Sequence, residues 1–147
     1  MKKITLSSTF NANFREVKEN FNKNLFEYLL PKIPPMKIEK YEGNNLGNEI
    51  HLSIAKNKWI SVISDIQDQS DEYSFTDTGK SLPYPLKQWN HKHRIVKLNE
   101  NEVAIIDEIE FRCSNNLLTN IFYPLLLLQF SLRIPQYKKY FELKLYE

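Results

Sequence analysis

Residues 88–98 read QWNHKHRIVKL, and their alternation decides the fold. A period of two puts Trp89, His91, His93 and Ile95 on one face of a strand, with Asn90, Lys92, Arg94 and Val96 on the other. Tryptophan and isoleucine seek burial, so the two histidines should point inward with them. After the turn Asn99–Asn101, residues 102–112 (EVAIIDEIEFR) alternate in the same way. Val103, Ile105, Asp107, Ile109 and Phe111 share a face. The two strands should pair as a hairpin, which brings the Asp107 carboxylate to the row from Trp89 to His93.

Working outward, strands are expected at 3–10, 36–42, 49–55, 59–66 and 73–78, separated by turn-forming segments such as GNNLG at 43–47. From residue 36 onward they recur about every 10 residues with no helical pattern between them, which predicts an antiparallel meander. Between the first and second strands, Phe14, Val17, Phe21, Leu25, Phe26 and Leu29 have helical spacing. Asn11 or Asn13 can cap this stretch, Asn22–Asn24 can divide it into two short helices, and Pro31, Pro34 and Pro35 end it. Residues 116–146 read as a long C-terminal helix, with kinks or a preceding short helix expected from Pro124 and Pro135. A sheet with one apolar face must cover it, and only this helix is large enough. The expected architecture is α+β: a curved antiparallel sheet of about seven strands around a C-terminal helix, in one domain spanning 1–147.

Composition narrows the function. The apolar fraction is 41% and the charged fraction 26%, which suits a globular chain. A near balance of 20 basic and 18 acidic residues supplies no basic patch for nucleic acid. The single cysteine, Cys113, excludes an internal disulfide and reads as a small buried hydrophobe. The opening MKKITLSSTF lacks the apolar core of a signal peptide, so the expected compartment is the cytoplasm. The most apolar run, Ile121 to Leu132, is shorter than the roughly 20 residues that cross a bilayer and reads as core helix, with no stable membrane insertion.

Asp107, on an apolar face, needs a partner, and a histidine is the obvious one. Three uses remain open at this level: a satisfied network that sets hairpin register, a polar contact for a ligand, or proton transfer by His91, His93 and Asp107. His91, His93 and Asp107 could also form a two-histidine, one-carboxylate triad, but no second carboxylate or further histidine is evident beside them, and no metal is expected. His51 alternates away from Ile50, Leu52 and Ile54. Arg133 interrupts an apolar stretch and is expected at the surface or in a structural pair. Trp59, Tyr73, Phe75 and Tyr84 could line a cavity or simply fill a core. There is no phosphate loop, no nucleophile elbow and no paired CxxC.

Trp89-x-His91-x-His93-Arg94, then Asp107-x-Ile109-Glu110-Phe111 and Phe130-x-x-Arg133, resemble the SRPBCC group of START-like, helix-grip proteins, in particular its polyketide cyclase/dehydrase-like branch. Upstream, Trp59, Ile63, Phe75-x-Asp77 and Pro85-Leu86 fall where that branch has comparable residues. The chain departs from the branch at Tyr84-Pro85-Leu86, where relatives often carry a Gly-Pro-Phe-like turn. The resemblance implies a seven-stranded sheet, an apolar cavity under the terminal helix, and binding of a lipid, polyketide or similar hydrophobic molecule; no cofactor is expected. On this reading Trp59, Phe75, Trp89, His91, His93, Ile105, Asp107, Phe122 and Phe130 face the ligand. Some relatives are cyclases or hydratases, which would make His91 or His93 a base and Asp107 its orienting partner.

Overall fold

A computed structural model describes residues 1–147. The chain runs β1 (Lys2–Asn11), α1 (Phe14–Glu19), α2 (Lys23–Leu29), β2 (Met36–Tyr41), β3 (Glu49–Ile54), β4 (Asn57–Asp68), β5 (Glu72–Ser81), β6 (Leu86–Asn99), β7 (Glu102–Cys113), α3 (Asn116–Ser131) and α4 (Arg133–Glu142). All seven strands form one antiparallel sheet in the order β1-β7-β6-β5-β4-β3-β2. The meander is therefore sequential, and β1 closes it by pairing with β7, Leu6 opposite Asp107. Register shifts interrupt β2, β4 and both ends of the β6–β7 ladder. Bulges of this kind bend strands and deepen twist, which lets the sheet curl around the helices.

Caps set the helix starts. The Asn13 side chain accepts from Glu16 N, and the Asn22 side chain accepts from Asn24 N, so the asparagines do divide the segment into two helices. Asn115 caps α3 through Leu118 N at 2.8 Å. Pro124 lies inside α3 without ending it. The interruption falls at Leu132, three residues before Pro135. Pro135 has no N–H to bond the Ser131 carbonyl and its ring crowds that group, so the turn opens there.

Counted through this interruption, Asn116–Glu142 is a 27-residue helix long and apolar enough, by length and composition, to cross a membrane. The run Ile121 to Leu132 is only the most apolar part of it. Its description as a core helix holds for one side alone, since 11% of the most apolar window is buried. Phe122, Leu126 and Phe130 turn toward the sheet, while Leu117, Ile121, Leu125, Leu128 and Leu132 remain exposed.

Two apolar clusters form. At one end Phe10, Val17, Phe21, Leu25, Phe75, Ile95, Ile105, Tyr137 and Phe141 close into a continuous core under α1, α2 and α4. At the other, Ile4, Leu86, Trp89, Ile109, Phe111 and Cys113 form a smaller group against α3. The backbone of α3 approaches β1 and β7. The wall made by β2–β4 stands off from it, and a cavity of about 620 Å³ lies between.

Candidate functional site

The inner wall of this cavity carries the polar residues. On β6, alternation buries Trp89, His91, His93 and Ile95 at 4%, 3%, 3% and 0% exposure, as the spacing predicts. On β7 the same rule buries Asp107. On β5 it buries Phe75 and Asp77, with Asp77 directly opposite His91 and Phe75 opposite His93. Each carboxylate bonds the histidine diagonal to it rather than the one in register. His91 Nε2 donates to Asp107 Oδ1 at 2.7 Å, and His93 Nε2 donates to Asp77 Oδ2 at 2.8 Å. The imidazole centroids stand 3.8 Å apart.

Further groups fix this arrangement. Trp89 Nε1 donates to Asp77 Oδ1 at 3.2 Å. Trp59 packs edge-on against Trp89 and donates from its own Nε1 to Ser61 Oγ. Phe75 stacks on the back of His93 with centroids 4.5 Å apart. From α4, Tyr137 Oη donates to Asp107 Oδ1 at 3.4 Å, and Arg133 Nη1 lies 3.7 Å from that oxygen. The Arg133 guanidinium rests over the Phe130 ring at 4.6 Å.

The electrostatics follow from burial against pairing. Burial alone would raise the Asp107 carboxyl, but the His91 hydrogen bond and the charges of His91, Arg133 and His93 outweigh it and hold the group below the usual range. Asp77 behaves likewise: burial opposes ionisation, and the His93 hydrogen bond with both imidazoles overcomes it. Burial, helped by the neighbouring His91, lowers His93 to about 4 in spite of Asp77. Tyr137 is raised by burial and by the Asp107 charge. At neutral pH the wall thus presents ionised carboxylates beside a neutral His93 and a guanidinium.

The cavity is lined by Trp59, Trp89, His91, His93, Phe122 and Phe130 among the residues the sequence assigned to the ligand. The other three do not line it. Phe75 and Ile105 belong to the closed core, at 1% and 0% exposure, and Asp107 lies one layer back behind His91. Alternation tells inward from outward, but not which end of the sheet a residue serves. Tyr84 stands at the rim, whereas Tyr73 packs on the closed core. His51 pairs with Glu49 away from the site.

Of the two places expected for Arg133 the structure takes the pair and not the surface: its side chain is only 16% exposed, it lies beside Asp107, and it borders the cavity. Asp77 was missed as a site residue. Its signal was present in Phe75-x-Asp77, the same parity as a buried aromatic. Among the potential metal ligands, Asp77, His91 and His93 place their donor atoms within 4.8 Å of one another, so the carboxylate grouped with the imidazoles is Asp77 and not Asp107.

The sequence matches no protein-family model and none of the curated proteins. Solved structures do match the fold. Norcoclaurine synthase from Thalictrum flavum, in complex with dopamine and hydroxybenzaldehyde, is similar over 92% of this chain and 84% of its own, at TM-score 0.62 and 11% identity. A START superfamily protein from Mycobacterium smegmatis is similar over 91% and 97%, at 0.55 and 9%. The protein XoxI from Bacillus cereus is similar over 77% of each chain, at 0.53 and 19%. The fold is therefore a START-like helix grip: a seven-stranded antiparallel sheet, two short helices after the first strand, and a long C-terminal helix.

Proposed function

We propose that this protein binds one small, largely hydrophobic molecule, of lipid or polyketide type, in the cavity under α3. The observation that carries this reading is the cavity itself. Its volume of about 620 Å³ falls in the range of small-molecule sites. Leu52, Ile54, Phe122 and Leu126 supply apolar wall, and the polar groups of Trp89, His91, His93, Asp77 and Arg133 gather on one side. Each CH₂ removed from water there is worth about 0.8 kcal/mol. The polar side orients the guest, with Asp107 acting through His91. The protein works as a cytoplasmic carrier that does not insert in the bilayer, its C-terminal helix being engaged with the sheet.

Native mass spectrometry of the protein purified gently from its own host tests this. The expected result is one extra mass per chain, released by organic solvent. Trp59 and Trp89 are the only tryptophans, and both border the cavity, so their emission should shift when a hydrophobic probe enters. An empty protein whose emission no apolar probe changes would overturn the reading.

A second reading is catalysis of cyclase or dehydratase type, favoured by the short contact of His91 with the buried Asp107 beside the cavity. One solved protein with this fold is a synthase. In this reading a histidine takes a proton from the bound molecule and Asp107 orients it. His91→Gln should then abolish turnover while leaving binding of the same molecule intact; an unchanged rate removes His91 from the chemistry.

A further inference from the structure

We propose that Asp77, His91 and His93 form a binding site for a divalent first-row transition-metal ion at the inner wall of the cavity. The site is built from strand register. His91 and His93 are two apart on β6 and project to one side, and Asp77 stands directly across from His91 on β5. Asp77 Oδ2 lies 2.8 Å from His93 Nε2 and 3.8 Å from His91 Nδ1. Metal–ligand bonds of about 2.1 Å at tetrahedral angles place donor atoms about 3.4 Å apart. The distances observed bracket this value, so small side-chain rotations complete the site. Two imidazoles and one carboxylate suit zinc, iron or cobalt and leave coordination positions open. All three residues line the cavity, so those positions face whatever the cavity holds.

The layer behind these atoms is what a metal site requires. The far nitrogen of His91 donates to Asp107, and the far oxygen of Asp77 accepts from Trp89. Carboxylate–histidine contacts of this kind orient ligating imidazoles. The third ligand supplies an independent observation. His93 Nδ1 is buried without any hydrogen-bond partner, 3.6 Å from Asp107 Oδ1. While His93 Nε2 keeps its proton for Asp77, a neutral ring turns a bare Nδ1 lone pair toward that carboxylate. A metal on Nε2 moves the proton to Nδ1 and changes this repulsive contact into an N–H directed at Asp107.

The experiment uses the full chain after chelator treatment and needs no organic ligand. Titration with Co²⁺ should give a visible absorption band that saturates at one ion per chain, with a rise in Tm, and Zn²⁺ should abolish the band. Asp77→Asn and His91→Gln, each checked for folding by circular dichroism, should weaken affinity at least about tenfold. His51→Gln, on the separate Glu49 pair, should leave it unchanged. The absence of a Co²⁺ band and of any Tm rise in the wild-type protein would overturn the proposal, independently of how the variants fold. Equal affinity in Asp77→Asn and His91→Gln would do so too, as would loss of the band in His51→Gln. The hydrophobic-guest reading stands or falls separately, on the tryptophan emission of metal-free protein.

Discussion

At the end of the sheet under α1, α2 and α4, Phe21 meets Phe26, Phe75, His93 and Tyr137 with ring centroids 5.4 to 6.2 Å apart, and Phe10 stacks on Phe141. At the end under α3, Trp89 touches both Trp59 and Phe130, but the wall of β2–β4 stands off from α3 and a cavity remains. Both ends are built by the same alternation on the same strands. What differs is the number of helices above them. Three helices pack into the first end, whereas α3 alone packs into the second cluster, with α2 and α4 reaching only the border of the cavity through residues such as Leu29 and Arg133. Apolar side chains on a strand thus make a core or a container depending on what is laid across them.

The contrast predicts where truncation hurts. Phe21→Ala should cost about 4 kcal/mol, because Phe21 is 2% exposed and its space cannot collapse. Phe122→Ala, beside existing empty volume, should cost about 1 kcal/mol. Urea unfolding of the pair checks this; equal losses would mean that the two ends are packed alike.

Acid should come next in size. His93, held down to about 4 and enclosed by Phe75, Asp77, Asp107 and His91, stays neutral in the folded metal-free protein while the unfolded chain takes a proton near 6.5. A depressed value means that stability is fully present above the unfolded pKa. It should fall as pH drops from about 6.5 towards 4, by roughly 3 kcal/mol in full. His93→Gln should flatten this slope in pH-dependent urea midpoints.

Smaller still is the stability change from Leu52→Trp, which fills cavity space. It should alter stability by about 1 kcal/mol yet exclude the guest, read as loss of the solvent-released mass. The least change is expected at Leu117, 70% exposed on the outer face of α3, where Leu117→Ser should stay within about 0.5 kcal/mol. A larger loss there would mean that the outer face is covered in solution.

Much of this was legible in the residues themselves. Period two turned Trp89, His91, His93 and Asp107 inward, and a lone carboxylate on an apolar face demanded a partner, which His91 supplies. Those inferences depend only on local geometry and on the cost of burying a charge. Asparagine caps and proline stops likewise act over a few residues. Which imidazole meets which carboxylate was not legible. The crosswise pairing with Asp77 and Asp107 depends on strand twist and bulges that no single strand encodes. Nor was the depth of Arg133, which is set by how α4 lies against β1, with Ser8 Oγ donating to the Ile134 carbonyl at 2.8 Å. Local sequence sets which way a side chain faces, because the backbone period is local. Whether that side meets a neighbour, a guest or water depends on elements distant in the chain, and so only the assembled fold separated core from cavity.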